Sequence, residues 1–194
     1  MLRCGLLGEK LGHSYSPEIH KMLAGYEYRL YERRAEELED FIRGGEWDGL
    51  NVTIPYKKAV LPFCDELGAR ARLSGSVNTL VRRADGSIYG DNTDMFGFES
   101  LLHVNGIDPA GTKALVLGSG GACASVRAVL KSLGAQTVVI SRRGEDNYNN
   151  LERHRDAGLI VNTTPLGMYP NNSAQAVDLT MFPNCRAVLD IVYN

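Results

Sequence analysis

Along the first half of the chain, short runs alternating apolar and polar positions are separated by stretches with helical spacing. Residues 2–7 predict a strand. Ser16 then reads as an N-cap, with Pro17 at the first helical position and Glu18 complementing the dipole, opening a helix to Leu23. A strand over 28–31 and an acidic helix over 35–42, closed by Gly44 and Gly45, follow. A third strand is predicted over 49–54, ended by Pro55, and a short helix over 57–63. Runs at 77–83 and 87–89 flank Asp85-Gly86, a hairpin signature.

Gly106, Pro109 and Gly111 cluster between two periodic segments, which puts a boundary in 105–112 and two domains at 1–105 and 106–194. Beyond it, strand 114–117, turn 118–121, helix 122–133 and strand 136–140 make one βαβ unit of about 30 residues. Two more strands are predicted at 159–162 and 187–192. Strands separated by helices point to an α/β fold with parallel pairing.

Composition narrows the function classes. At 194 residues, 44% hydrophobic and 23% charged, the chain has the makeup of a soluble globular protein. A net charge of -2 with mixed signs leaves no basic face for nucleic acid and no polybasic membrane patch. Trp47 and the other aromatics lack the basic interleaving of a nucleic-acid binder. No apolar run approaches the roughly 18 residues a membrane helix needs. The first eight residues are too short and too glycine-punctuated for a signal peptide. Cys4, Cys64, Cys123 and Cys185 are scattered, with no CxxC pair, and read as small apolar residues in a reducing compartment. A cytoplasmic location is expected. His13, His20, His103 and His154 share no metal spacing, so no metal site is expected.

Short polar motifs then carry the chemistry. His13-Ser14-Tyr15-Ser16-Pro17 is followed by Asn51-Val52-Thr53-Ile54-Pro55-Tyr56-Lys57, then Ser76-Val77-Asn78-Thr79 and Asp91-Asn92-Thr93-Asp94. They supply hydroxyls, amides, an ammonium and a carboxylate, a set suited to a small polyhydroxylated acid. Gly118-Ser119-Gly120-Gly121-Ala122 comes next, between a strand and a helix, where a dinucleotide pyrophosphate can approach glycine backbone and a helix N-terminus. Cys123 stands where the fingerprint has its third glycine, and a small residue there can still pack helix on strand. At the end of the next strand, Ser141-Arg142-Arg143 offers guanidiniums to a 2′-phosphate where an acidic residue would hold the 2′-hydroxyl of NAD.

In this order and spacing the motifs resemble the shikimate dehydrogenase family, and the likeness runs from Leu6 to the last residue. The resemblance implies an N-terminal α/β substrate domain, a Rossmann-like NADP domain and a cleft between them. It implies NADP-dependent interconversion of 3-dehydroshikimate and shikimate in aromatic amino-acid biosynthesis. Lys57 and Asp94 match the catalytic lysine and aspartate. Ser14 and Ser16 match the binders of the substrate carboxylate, Asn51, Thr53 and Asn78 those of the ring hydroxyls or carboxylate, and Tyr193 a tyrosine near the substrate. Gly118, Ser119, Gly120, Gly121 and Ala122 match the pyrophosphate turn, and Arg142 the family arginine, with Ser141 and Arg143 as departures. Thr163 and Met168 fall in the loop Asn162–Met168, which in the family lies at the nicotinamide end.

On the residues alone, Lys57 is equally a surface lysine, Ser16 a cap, Asn78 a turn former, Tyr193 a core aromatic and the arginine pair a solvated strand edge. The Asn-rich stretch 146–151 reads as a shortened connection without catalytic weight. The chain stops at Asn194, directly after a buried-looking strand, and is expected to lack the family's C-terminal part. A monomer or homodimer is expected. Two alternatives stand beside the main reading: a quinate/shikimate dehydrogenase using NAD, and a truncated relative that binds a nucleotide or small acid without turnover.

Overall fold

The computed structural model describes residues 2–12, 14–23, 25–169 and 172–192. His13 and Tyr193 therefore lie outside the described residues. The chain divides into two compact units, Met1–Thr93 and Asp94–Asn194.

The first unit runs β1 (Arg3–Gly8), α1 (Ser16–Leu23), β2 (Glu27–Glu32), α2 (Leu38–Gly44), β3 (Gly49–Val52), β4 (Glu66–Leu67), α3 (Ala69–Ser74), β5 (Thr79–Arg82) and β6 (Ile88–Asp91). Its sheet has the order β2-β1-β3-β5-β6-β4. β1 pairs parallel with β2 and β3, whereas β5 runs antiparallel between β3 and β6. Alternation along β3 sends Leu50 and Val52 into a core with Leu7, Leu38, Ile42, Trp47, Leu80 and Ile88. Asn51 between them faces the other way.

Several expectations shift. The acidic helix splits into a 3-10 turn, Ala35–Glu37, and α2. Its end is not a left-handed glycine cap, since Gly45 is extended at φ -69°. Arg82 does that work instead, donating to the carbonyls of Ile42 at 2.6 Å and Trp47 at 3.2 Å while stacking 4.2 Å from the Trp47 ring centroid. The helix expected over 57–63 is a run of turns ending in a 3-10 turn, Leu61–Phe63. Pro62 removes an N–H there, and Pro55 enters through a cis peptide bond.

The second unit runs α4 (Asp94–Val104), β7 (Lys113–Leu117), α5 (Gly121–Ser132), β8 (Gln136–Ile140), β9 (Leu159–Asn162) and β10 (Ala187–Asp190). Its sheet is parallel throughout, in the order β10-β9-β7-β8. Both faces are covered, which explains the unbroken apolar runs in the sequence. Ala114 and Val116 of β7 pack under α5 against Val126, Val129 and Leu130, and Leu115 and Leu117 pack on the opposite face with Ile140, Ile160 and Phe182. Met95, Phe98 and Leu102 of α4 join the α5 side, so the division falls ahead of the 105–112 loop. Among the described residues no helix is long and apolar enough to cross a membrane.

Candidate active-site edges of the two sheets

In the first unit, topology delivers the polar motifs to one edge of the sheet. β1, β3 and β6 end there, and β5, running the other way, begins there. Ser14 and Ser16 follow β1, Thr53 and Lys57 follow β3, Asn78 precedes β5, and Thr93 follows β6. Backbone hydrogen bonds stitch these exits together. Thr53 N donates to Leu7 O at 2.9 Å, Val52 N to Asn78 O at 2.7 Å, Val77 N to Lys57 O at 2.7 Å and Asn78 N to Asp91 O at 3.1 Å.

The third and fourth motifs interlock through side chains. Asn78 is 8% exposed; its Nδ2 donates to Thr93 Oγ1 at 3.0 Å, and its Oδ1 accepts from Thr93 N at 2.9 Å and Thr79 Oγ1 at 3.0 Å. Beneath it, fully buried Asn92 donates from Nδ2 to Ser76 Oγ at 2.8 Å, Ser76 O at 3.0 Å and Ser74 Oγ at 3.1 Å. Buried polar groups need such partners, so these motifs fix the edge as well as line it. Asn92 and Thr93 are quoted in the sequence motif, but nothing local reveals that Thr93 braces Asn78 and Asn92 the Ser74–Ser76 turn.

A second network joins two predicted substrate residues. The Tyr28 hydroxyl donates to Asn51 Oδ1 at 2.8 Å and is hydrogen-bonded by Ser16. Burial pushes the Tyr28 phenol well above its ordinary range, with the Ser16 bond acting against it, so the hydroxyl stays a proton donor. The His20 ring stacks on Tyr28 at 3.8 Å between centroids and 12° between planes, and bonds Tyr26 through Nδ1. Burial lowers the His20 pKa from 6.5, opposed by a hydrogen bond with Asn51. Neither His20 nor Tyr28 is legible as a partner of Asn51 in the sequence, because the contact crosses from β2 over β1 to β3. With Oδ1 occupied, Asn51 presents its Nδ2 as a donor.

The start of α1 also differs from the cap reading. Tyr15 O accepts from Ile19 N at 3.1 Å, and Ser14 Oγ accepts from Ser16 N at 3.2 Å. Ser16 is thus the first helical residue, and its hydroxyl serves Tyr28. Lys57 and Asp94 are both half-buried, and Asp94 opens α4, where its carboxylate complements the dipole.

In the second unit the cofactor motifs gather at the carboxyl edge of the parallel sheet, where open α/β sheets bind ligands. Gly118–Gly121 leaves β7, Ser141–Arg143 leaves β8 and Thr163–Met168 leaves β9. Gly118 has φ +109°, and a Cβ there would lie 2.9 Å from Thr163 Oγ1 and 3.2 Å from Thr164 Cγ2. The turn therefore requires glycine twice over, for conformation and for space. Gly120 caps α5 without a side-chain acceptor, and a Cβ on it would meet nothing within 4 Å. First-turn N–H groups with open space before them fit a pyrophosphate. Cys123, 3% exposed, packs among Ala114, Val116 and Val161, so it fills the helix–strand contact expected of a small residue.

Ser119 is exposed, Ala122 and Ser141 are half-buried, and Arg142 and Arg143 are exposed. The loop after β9 is shaped by Asn162, whose Nδ2 donates to the Asp190 carboxylate and to Leu166 O, each at 3.1 Å, while Oδ1 accepts from Thr164 N at 3.0 Å. Thr163 N bonds Leu117 O at 2.9 Å, joining this loop to the exit of β7. Met168 is half-buried in it.

The substrate-binding-domain model of shikimate dehydrogenase matches residues 6–80. A shikimate dehydrogenase (NADP(+)) of Clostridium perfringens is 35% identical over 212 residues, covering 98% of this chain and 78% of the relative. A crystal structure of shikimate dehydrogenase 1 from Peptoclostridium difficile superposes with a TM-score of 0.90 at 33% identity, covering 100% of this chain and 78% of the other. The Thermus thermophilus shikimate 5-dehydrogenase, solved in complex with NADP(H) and shikimate, gives 0.82 at 31% identity, covering 100% and 79%. By these identities and coverages the chain belongs to the shikimate dehydrogenase family.

Proposed function

We propose that the chain catalyses NADP-dependent reduction of 3-dehydroshikimate to shikimate, with the substrate held chiefly by the first unit, Met1–Thr93, and the cofactor by the second, Asp94–Asn194. The observation that carries this reading is the convergence of Ser14, Ser16, Thr53, Lys57 and Asn78 on one sheet edge. Hydroxyls at the start of α1 receive the carboxylate, where the helix dipole favours an anion. Asn51, through its Nδ2, together with Thr53 and Asn78, orients the ring hydroxyls. Tyr193 completes this set. When bound, the reduced dinucleotide supplies the hydride for the C3 ketone.

The protein's part in the chemistry is the proton. Reduction turns a carbonyl into an alkoxide, and the Lys57 ammonium both stabilises that charge as it grows and protonates it. Asp94 carries the family's carboxylate role. The glycine turn with Ser119, Gly121 and Ala122 holds the pyrophosphate, Ser141, Arg142 and Arg143 the 2′-phosphate, and Thr163 and Met168 the nicotinamide end.

NADPH formation from shikimate by the purified chain, with NAD and quinate run in parallel, tests this. Turnover with NADP and shikimate, with kcat collapsed in Lys57→Ala at nearly unchanged affinity, is the expected result. Turnover with NAD and quinate instead would favour the NAD-using alternative. A Lys57→Ala loss confined to KM would make Lys57 a binding residue. Ligand binding without turnover by any pair would leave the non-catalytic reading.

A further inference from the structure

The Asn-rich stretch after β8 is built as a brace for the two arginines. Ser141, Arg142 and Arg143 leave the sheet edge, and the chain turns straight back. Gly144 N donates to Ser141 O at 3.3 Å, and Ser141 N donates to Asp146 O at 3.2 Å. A Cβ on Gly144 would sit 2.8 Å from Ser141 Oγ and 3.0 Å from Asp146 O, so the turn closes this tightly because residue 144 has none.

Two asparagine side chains then hold the returning strand of the turn. Asn147 Nδ2 donates to Gly144 O at 3.2 Å and Glu145 O at 3.3 Å, and its Oδ1 accepts from Asn149 N at 2.9 Å. Asn150 Nδ2 donates to Glu145 O at 2.9 Å, while its Oδ1 accepts from Asn147 N at 2.8 Å. The far end is anchored in the core. Asp146 Oδ1 bonds Nε2 of His154, which is 7% exposed, and Leu151 and Tyr148 pack beside Leu117 and Ile140. The Arg142 charge is near enough to Tyr148 to act against the burial that raises its pKa.

We infer that Asn147 and Asn150 are positioning residues for the nucleotide 2′-phosphate, and that preference for a 2′-phosphorylated adenosine depends on this brace as well as on the arginines. The inference rests on the proposed NADP reading of the second unit. Its physics is preorganisation. Arginines on a loose loop must be ordered when the phosphate arrives, and ordering opposes binding; on a braced turn that loss has been taken during folding. Adenosine without the 2′-phosphate makes no use of the arginines and is indifferent to the brace.

The probes are 2′,5′-adenosine diphosphate and 5′-AMP, titrated calorimetrically into the full chain, so that turnover is not needed. Arg142→Ala combined with Arg143→Ala is the reference. It should abolish the preference for the diphosphate, and a preference left intact would remove the cofactor reading itself. Given that loss, Asn147→Ala and Asn150→Ala should each weaken 2′,5′-adenosine diphosphate by about tenfold while leaving 5′-AMP within about twofold. Unchanged binding of both ligands in both variants, or equal losses of the two ligands, would overturn the brace and leave the arginine assignment standing. Thermal melting of each variant identifies one that fails to fold, and the other asparagine variant then decides the question.

Discussion

Removing one oxygen, in Tyr28→Phe, separates positioning from packing at the substrate edge. The ring remains, so the His20 stack at 3.8 Å persists, and the phenol's donation to Asn51 Oδ1 at 2.8 Å disappears. A neutral intramolecular hydrogen bond contributes about 0.5–1.5 kcal/mol net. Spread over a chain of 194 residues, a loss of about 1 kcal/mol lowers Tm by roughly 2–4 °C. The larger consequence is at Asn51, whose amide is then held only through its hydrogen bond with His20 and must be ordered again when substrate binds, at a cost of about 1 kcal/mol. Shikimate affinity should fall about fivefold.

Calorimetric titration with shikimate reads this directly, and steady-state kinetics should place the loss in KM with kcat little changed. Asn51→Ala sets the scale for complete loss of the amide. If Tm drops by a few degrees while the shikimate Kd stays within about twofold, Tyr28 merely packs and the positioning argument fails.

Other consequences follow from particular contacts. Gly118→Ala forces a Cβ at φ +109° to within 2.9 Å of Thr163 Oγ1, so chemical denaturation should show a loss of about 1–3 kcal/mol, and NADP titration a weakened complex. Arg82→Ala removes the donors that close α2 and the cation over Trp47; urea melts should show about 2–4 kcal/mol lost, with Arg82→Lys recovering less than half because an ammonium cannot fork. For His20 the folded-state pKa lies below 6.5, so the unfolded chain binds the extra proton first. Its contribution is full above pH 6.5 and is lost as pH falls through the lower folded value, so Tm should decline across that interval and decline less in His20→Gln.

What the sequence revealed depended on how local the cause was. β1, β2, β8 and β9, the β5–β6 hairpin and the turn into α5 announce themselves by periodicity, by Asp85-Gly86 and by Gly118–Gly121, each a property of a few neighbouring residues. β4 has two residues and exists because β6 lies beside it, which no local pattern encodes. α4 is not legible in the sequence although Met95, Phe98 and Leu102 share a face, since Gly97 interrupts it and its first residue belongs to the Asp91–Asp94 motif. Residues 57–63 have helical composition, but two prolines bracket the backbone into turns.

The same distinction applies within the site. A motif shows which side chains are available, and the fold decides which of their atoms are already spent. Asn51 and Asn78 look alike in sequence, each an amide in a short polar motif, one within a strand and one just before a strand. In the folded chain Asn51 has its oxygen tied by Tyr28 and turns a donor outward, whereas Asn78 uses both ends of its amide to lock β5 against the exit of β6. Replacing the first should act on a ligand's affinity, and replacing the second on the sheet edge itself. Asn78→Ala should therefore lower Tm by more than Asn51→Ala does, because it removes a side chain only 8% exposed and leaves Thr93 N and Thr79 Oγ1 without their acceptor. Equal melting temperatures in the two variants would mean that the lock contributes nothing and that the paired motifs serve the ligand alone.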